Sequence, residues 1–287
     1  MELQQLRYVD AVATELNFTR AAARCNVVQS ALSHQIKALE GELGVALFAR
    51  TSRRVELTAA GAAFLPGARA AIAAADRAAA DATAALGRVT GHLIVGVIPT
   101  VAAADVPLAL RTFRERYPEV SISVRAGGSD QLEKAITQGR VDVAFLGLPA
   151  NREPRGVDWR HLGTDRLVAV LAADHPLATK TEVTLGDLAD ETFADFPLGS
   201  PARAQSDIAF TAAGIPRTVD FEATTAELML DLVRHRLAVT LLPSRAFTGS
   251  PGLATVPISS GPTRDEYLAW SRLNPSPAAR AFLALVR

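Results

Sequence analysis

Hydrophobic residues recur at helical spacing near the start of the chain and predict three helices. The first spans about residues 2–16. The second is short: we place its N-cap at Thr19, before three alanines, and its end near Cys25–Asn26, since Asn tolerates the left-handed conformation in which helices end. The third spans about residues 29–43. Two short helices joined by a tight connection are therefore expected in this region.

The third predicted helix has one apolar face and one polar face. At about 100° per residue, its large apolar side chains fall in one narrow stripe: Leu32, Ile36, Leu39 and Leu43. The polar side chains lie on or beside the opposite face: Gln29, Ser30, Ser33, His34 and Lys37. Such a face suits a helix that enters the major groove of DNA, where side chains must reach base edges and phosphates. Taken alone, the pattern also fits the solvated face of an ordinary amphipathic helix.

A basic turn follows this helix. Arg50, Arg53 and Arg54 place three guanidinium groups within five residues. Arginine suits phosphate because its planar fork can donate two hydrogen bonds at once. Most surface charge runs are only solvated, but this one directly follows a helix with a groove-reading face. We therefore expect it to contact phosphates or the minor groove.

The stretch from residue 21 to residue 61 resembles, without a gap, the N-terminal winged helix-turn-helix of LysR-type transcriptional regulators. The matching positions are Ala21, Ala22, Gln29, Ser30, Ala31, Leu32, Ser33, Ile36, Leu39, Glu40, Leu43, Gly44, Leu47, Phe48, Arg50, Leu57, Thr58 and Gly61. The resemblance implies binding to double-stranded DNA. The glutamine, the two serines and the histidine would read bases, while Lys37 and the three arginines of the basic turn would hold phosphates. The family often carries Arg at the place of His34, so an imidazole stands here where the family has a permanent cation.

An alanine-rich segment follows, and it predicts one long helix. Thr58 is placed to cap it, and alanine, the best helix former, dominates residues 59–86, with Pro66 about two turns in. A single helix cannot form its own core, so its apolar stripe needs a partner: Phe64, Leu65, Ala68, Ile72, Ala75 and Ala79. In LysR-type regulators this segment is a linker helix that pairs with its counterpart. The resemblance thus implies a homodimer, or a homotetramer built from it.

The composition changes at residues 87–91, and strands then alternate with helices. We predict strands at 92–99, 120–124, 141–146, 167–171, 192–195, 219–222 and 239–242, and helices at 108–117, 130–139, 201–213, 225–236 and 275–287. This alternation is typical of a parallel, doubly wound sheet. Two such lobes resemble the effector-binding domain of the same family, which has the periplasmic-binding-protein fold.

The expected architecture is α/β with three parts. They are an N-terminal winged helix-turn-helix (1–58), a long linker helix (59–90) and a C-terminal two-lobed periplasmic-binding-protein-like effector domain (91–287). Lobe I would comprise about 91–162 and 268–287, and lobe II about 163–267. The family often has G-x-G shortly before an L-P pair. Here Arg236 and Ala238 stand in the glycine places, so either Arg236 adopts a conformation that glycine prefers or the turn differs.

Open α/β sheets bind ligands beyond the carboxyl ends of their strands, beside helix N-termini. The candidates are Pro99, Thr100, Val101, Gly128, Ser129, Gly147 and Leu148 in the first lobe, and Phe196, Pro197, Thr224 and Thr225 in the second. Exposed N–H groups and hydroxyls at helix starts favour an anion. Simple N-capping also explains a hydroxyl at each place, and the expectation that these residues converge rests on the family resemblance. The predicted effector is a small anionic metabolite.

The totals are consistent with this view. Thirty basic and thirty acidic residues cancel, but a local basic patch suffices for DNA binding. The single cysteine excludes an internal disulfide and a cysteine zinc cluster, and the five histidines are scattered without metal-ligand spacing. No run approaches the ~18 apolar residues of a membrane span, and no signal peptide is evident, so we expect a cytoplasmic protein.

Three other classes of protein could contain parts of this sequence pattern. An enzyme is disfavoured because no dinucleotide, P-loop or G-x-S-x-G motif occurs, and we expect no cofactor. A solute-binding transport protein would share the two-lobed fold but not the preceding DNA-binding segment. A non-specific architectural DNA binder would need no cleft. The partners implied by the resemblance are DNA, a small effector and RNA polymerase.

Overall fold

The computed structural model describes residues 1–50, 55–150, 152–246, 250–273 and 275–286. These residues form two compact units. The first comprises Met1–Arg88 together with Gln138–Arg140, and the second comprises Val89–Thr137 together with Val141–Arg287.

The first unit contains three short helices, a two-stranded ribbon and one long helix. In chain order they are α1 (Leu3–Glu15), α2 (Phe18–Arg24), α3 (Gln29–Leu43), β1 (Phe48–Arg50), β2 (Val55–Leu57) and α4 (Ala59–Ala84). The predicted cap of α2 is wrong. Asn17 caps this helix, with its side-chain oxygen accepting from Arg20 N at 2.9 Å, and Thr19 lies inside the first turn. Both residue types can cap a helix, and the asparagine stands at the place where the chain is still extended.

A tight turn joins α2 to α3. Asn26 adopts φ +54°, the left-handed conformation expected there, and Val27 N donates to Ala22 O at 3.0 Å. The apolar stripe of α3 then packs inward, because Leu32, Ile36 and Leu39 have no exposed surface. Their partners in this core come from α1 and α2, so the polar face of α3 is left pointing outward.

The β1–β2 ribbon is held against α3 and the start of α4. Glu40 of α3 accepts from Leu47 N at 2.7 Å and from Phe48 N at 3.1 Å, which fixes the approach to β1. Thr58 caps α4 as predicted, accepting from Gly61 N at 2.9 Å. A Cβ at Gly61 would lie 2.1 Å from Leu47 O, so only glycine permits this approach.

The helix α4 packs along α1 with its first half and continues through Pro66. Arg69 Nε donates to Asp10 Oδ1 at 2.6 Å, and Arg7 pairs with Asp76 at 2.5 Å. Leu65 and Ala68 are buried, whereas from residue 69 onwards the helix is half-buried or exposed. The second half of α4 therefore presents small side chains to its surroundings.

The second unit alternates strands and helices. Its elements are β3 (Gly91–Val97), α5 (Val106–Arg116), β4 (Val120–Ala126), α6 (Ser129–Thr137), β5 (Val143–Pro149), β6 (Asp158–Ala172), β7 (Thr192–Asp195), α7 (Pro201–Ala213), β8 (Thr218–Glu222), α8 (Ala226–Arg234), β9 (Thr240–Pro243), β10 (Leu253–Pro257), β11 (Thr263–Trp270) and α9 (Pro277–Leu285). Two 3₁₀ turns, Pro176–Thr179 and Gly186–Leu188, lie between β6 and β7.

The parallel sheet predicted from the first three strands is confirmed, but the complete sheet is mixed. The strands β3, β4 and β5 are parallel, but β11 runs antiparallel to both β5 and β6, in the order β10-β6-β11-β5-β3-β4. The predictions missed β10 and β11, and they found only the end of β6. In β11 the alternation is obscured because two of its buried side chains, Arg264 and Glu266, are charged.

The strand β6 is shared by two lobes. Its first part, Asp158–Arg166, pairs with β11 in lobe I, and the rest pairs with β9 and β10 in lobe II. Each lobe has its own apolar clusters: one set surrounds Phe113, Phe145 and Phe282, and the other surrounds Phe193 and Phe210. The chain thus passes from lobe I to lobe II along β6 and returns to lobe I at β11, which pairs with the first part of β6.

The turn after α8 adopts the first of the two alternatives drawn from the sequence. Arg236 has φ +59°, in the region that glycine prefers, and its guanidinium pairs with Asp174 at the surface. Ala238 is buried and is not among the residues with positive φ. Arg236 therefore bears the strain that a glycine would avoid.

Candidate functional site

The outward face of α3 collects the polar residues selected from the sequence. Gln29, Ser30, His34 and Lys37 are exposed and Ser33 is half-buried. The helix begins after Val28, whose side chain supplies no cap, so the N–H groups of its first turn remain available to an outside acceptor. Arg50 ends β1, and Arg53 and Arg54 lie outside the described residues.

A cavity of about 700 Å³ opens between the two lobes of the second unit. Nine of the residues selected for effector binding line it: Pro99, Thr100, Gly128, Ser129, Gly147, Phe196, Pro197, Thr224 and Thr225. Eight of them follow the carboxyl ends of β3, β4, β7 and β8, as the general rule for such sheets requires, and Gly147 lies within β5 near its carboxyl end. Val101 and Leu148 do not line the cavity, because Val101 packs against two apolar clusters and Leu148 is fully buried in one of them.

Helices α6, α7 and α8 all begin at this cavity. Ser200 caps α7 by accepting from Arg203 N at 3.3 Å, and Thr225 caps α8 by accepting from Leu228 N at 3.4 Å. Ser129 has a different role, since its Oγ donates to Gly147 O at 2.9 Å and accepts from Gly147 N at 3.1 Å. That pair joins the start of α6 to the end of β5 and fixes the lobe I wall.

A buried ion pair on β11 lies at the cavity, where Arg264 is one of the lining residues. Arg264 and Glu266 are each 2% exposed, and their side chains pair directly. The guanidinium also bonds to Thr100 O and, at 2.7 Å, to Thr100 Oγ1. The Glu266 carboxylate accepts from Ala102 N at 3.0 Å and Ala103 N at 2.9 Å. Burial lowers the pKa of Arg264, and the negative charge of Glu266 opposes that shift.

Sequence reasoning did not select the other lining residues, and two of these, Arg264 and Gln205, are buried polar side chains. Arg264 was overlooked because β11 was not recognised. Gln205 lies on α7, is 4% exposed and lines the cavity. Within the described part of the chain, Gln205 Nε2 and Arg264 Nε are buried without a hydrogen-bond partner. No sequence signal singles out Gln205, because glutamine is usually exposed and its burial here depends on the tertiary packing of α7.

A unit with a groove-reading helix, followed by a unit with a cleft at converging helix starts, defines a ligand-responsive DNA-binding regulator as a class. No helix in the described ranges combines the length and the hydropathy that a membrane crossing needs. Residues 3–62 match the bacterial regulatory helix-turn-helix protein, lysR family, and residues 86–287 match the LysR substrate binding domain. The chain belongs to the LysR family of transcriptional regulators.

Curated relatives of about the same size are transcriptional regulators rather than enzymes. The chain is 35% identical to the Hca operon transcriptional activator HcaR of Escherichia coli, covering 100% of this chain and 97% of the relative. It is 33% identical to the HTH-type transcriptional regulator AlsR of Bacillus subtilis, covering 86% and 82%.

Solved structures of full-length regulators share the architecture. A full-length OxyR variant from Pseudomonas aeruginosa has a TM-score of 0.76 at 27% identity, covering 99% of this chain and 93% of that one. Full-length CbnR complexed with its target DNA has a TM-score of 0.71 at 28% identity, covering 100% and 99%. The resemblance and the fold class expected from the sequence are thus confirmed.

Proposed function

We propose that this regulator binds specific DNA sequences through α3 and responds to a small anion held between its two lobes. The observation that carries the DNA-reading part is the outward face of α3, where exposed polar side chains stand on a helix whose opposite stripe is fully buried. Only the polar face is free to enter a groove. The helix is fixed by its own core and by the bonds from Glu40, so it enters as a rigid body.

The side chains of this surface have two roles. Gln29, Ser30, Ser33 and His34 occupy the first turns of α3 and read base edges, because the N-terminal part of a recognition helix lies deepest in the major groove. Lys37, together with Arg50, Arg53 and Arg54, holds phosphates. Phosphate contacts set register and affinity, and base contacts set sequence.

The test is a gel-shift assay of the full chain with the DNA immediately upstream of its own coding region, at a stated salt concentration and with excess random competitor DNA. A shift that survives the competitor supports the proposal. The salt must be fixed because phosphate-driven affinity falls steeply with it. If a small amount of random competitor DNA abolished the complex, while circular dichroism showed that the protein was folded, sequence-specific binding would be contradicted.

The anion part of the proposal is supported by the convergence of helix starts on one cavity. The starts of α6, α7 and α8 carry N–H groups and positive dipole ends, and they come from both lobes. An anion bonded to donors of both lobes favours the closed state by the difference in its affinity for closed and open forms. Calorimetric titration of the full chain, with DNA binding measured beside it, tests whether such a ligand couples to the operator.

The assembly we propose is a homodimer through α4, from which a homotetramer can form. The small side chains beyond Ala68 allow a second helix to approach closely. The later part of the stripe, Ile72, Ala75 and Ala79, is only half-buried or exposed within one chain, and a second helix would cover it. Two copies would place their α3 helices in major grooves roughly 34–36 Å apart. The division into residues 1–58, 59–90 and 91–287, a cytoplasmic location and contact with RNA polymerase are part of the same proposal. A purely monomeric full chain in sedimentation velocity would contradict the dimer.

A further inference from the structure

The cavity between the lobes has an apolar wall beside polar groups, and this restricts the chemical class of ligand that can fill it. One wall is apolar: Phe196, Pro197 and Leu198 follow β7, and the side chain of Leu198 is 73% exposed. Ile98 contributes an apolar group from lobe I. A ligand with an apolar body would cover this surface, whereas a compact, fully polar ion would leave it in water.

The charges at the cavity do not favour a ligand with several negative groups. The positive charge of Arg264 is already compensated by Glu266, and Asp130 at the rim is held by Arg152. Glu227, in the first turn of α8, adds a further carboxylate at the cavity. A second anionic group on the ligand would therefore meet an acidic rim and no uncompensated guanidinium among the described lining residues.

Gln205 supplies a donor that nothing in the described protein uses. Its Nε2 is buried without an acceptor, although a buried amide N–H is nearly always paired. The side chain stands on α7, which belongs to lobe II, and the cavity reaches from there to Thr100 and Gly147 of lobe I. A ligand oxygen placed between the lobes would satisfy this amide while it also meets the first turn of α6.

We propose that the cavity takes a monocarboxylate with an apolar body, and that Gln205 determines its specificity by donating to the carboxylate from lobe II. The inference rests on the proposed function of the cavity as the effector site. Arg264 acts as a positioning residue: it holds Thr100 in place, and its charge is retained by Glu266. The apolar body of the ligand lies along the wall formed by Phe196, Pro197 and Leu198.

The experiment uses the full chain and two matched probe sets in isothermal titration: hexanoate, hexanamide and adipate, then benzoate, benzamide and phthalate. Each set holds the body similar and varies only the number of negative groups. We expect at least one monocarboxylate to bind, with its amide and its dicarboxylate at least about tenfold weaker. Tighter binding of a dicarboxylate, or no binding of either monocarboxylate at about 10 mM, would overturn the ligand class.

Gln205→Met tests the specificity residue, because methionine keeps the length of the side chain and removes the donor. We expect the affinity for the monocarboxylate to fall about tenfold, with an unchanged or higher melting temperature because an unpaired buried amide is lost. Gln4→Met is the matched control, since Gln4 is an exposed glutamine on α1 and does not line the cavity, and it should change affinity less than twofold. Equal affinity in Gln205→Met and the unaltered protein would refute the assignment.

Gel shifts of the same preparations separate this inference from the proposed function. Specific DNA binding without any carboxylate binding removes the inference and leaves the DNA-reading role intact. A monocarboxylate that binds but leaves DNA affinity and the gel-shift pattern unchanged supports the ligand class and contradicts the effector role of the cavity.

Discussion

The ion pair between Arg264 and Glu266 should be the most sensitive element of the effector unit. Replacing Glu266 by Gln keeps the shape of the side chain but removes its negative charge, leaving a guanidinium that is 2% exposed without its counter-ion. Breaking a buried pair in this way costs about 3–5 kcal/mol of unfolding free energy. For a unit of this size, that corresponds to a fall in melting temperature of about 6–20 °C.

The loss of unfolding free energy at Glu266 should depend on whether Arg264 is also replaced. Glu266 binds Ala102 N and Ala103 N in addition to Arg264, so an apolar replacement of both charges still leaves these two N–H groups without an acceptor. The double variant Arg264→Met, Glu266→Leu should therefore be less stable than the unaltered protein, by about 1–3 kcal/mol. It should nevertheless be more stable than Glu266→Leu alone, because no buried charge remains unpaired.

The assay is urea unfolding of the full chain, followed by circular dichroism and by tryptophan fluorescence, since Trp159 and Trp270 lie on β6 and β11. The two probes together detect separate unfolding of the two units, which would invalidate a two-state analysis. Glu227→Gln is the control, as an exposed acid at the same cavity, and should stay within about 0.5 kcal/mol of the unaltered protein. A loss below about 1 kcal/mol in Glu266→Gln, or simple additivity in the double variant, would refute the reasoning.

Three further predictions concern other parts of the chain. Arg236→Gly should be about 1 kcal/mol more stable than Arg236→Ala in thermal unfolding, because both lose the surface ion pair but only glycine is unstrained at φ +59°; equal stabilities would contradict this. Burial raises the pKa of Glu133, so the folded state holds its proton more tightly than the unfolded state does. In urea unfolding at a series of pH values, the unfolding free energy of the unaltered protein should therefore fall relative to that of Glu133→Gln as pH rises from about 4.5 through the raised pKa. A difference between the two proteins that does not change with pH would contradict the raised pKa. In fluorescence-anisotropy titrations, Gln29→Ala should lose about 1–3 kcal/mol of discrimination between operator and random DNA. Lys37→Ala should weaken binding to operator and random DNA alike, and it should reduce the slope of log affinity against log salt concentration by about one. The reverse pattern would mean that Lys37 reads bases and Gln29 holds a phosphate.

The amount that the sequence predicts differs between the two units. In the first unit the signals are local: helical periodicity, the hydroxyl of Thr58 before an alanine run, and the Asn26 turn all act within a few residues, and each is found in the structure. The cap of α2 was misplaced because Asn17 and Thr19 are both capable caps two residues apart, and only the backbone conformation distinguishes them.

In the second unit the errors follow charged residues that tertiary contacts bury. Pattern reasoning assigns charged side chains to the surface, so Arg264 and Glu266 concealed β11, although each satisfies the other inside the protein. The length of β6 was also not predicted, because the residues of its first part are mostly half-buried or exposed and do not alternate clearly.

By itself, then, the sequence determined the helix-turn-helix, the long alanine helix, the βα order from β3 to β5 and the strand ends at which the cavity between the lobes opens. These follow from short-range periodicity and from the rule that open sheets bind beyond their carboxyl edges. Only the tertiary structure decided which side chains face the cavity. Gln205 is buried by the tertiary packing of α7, and Arg264 is tolerated because Glu266 pairs with it inside the protein. That both sites are buried depends on contacts between distant parts of the chain.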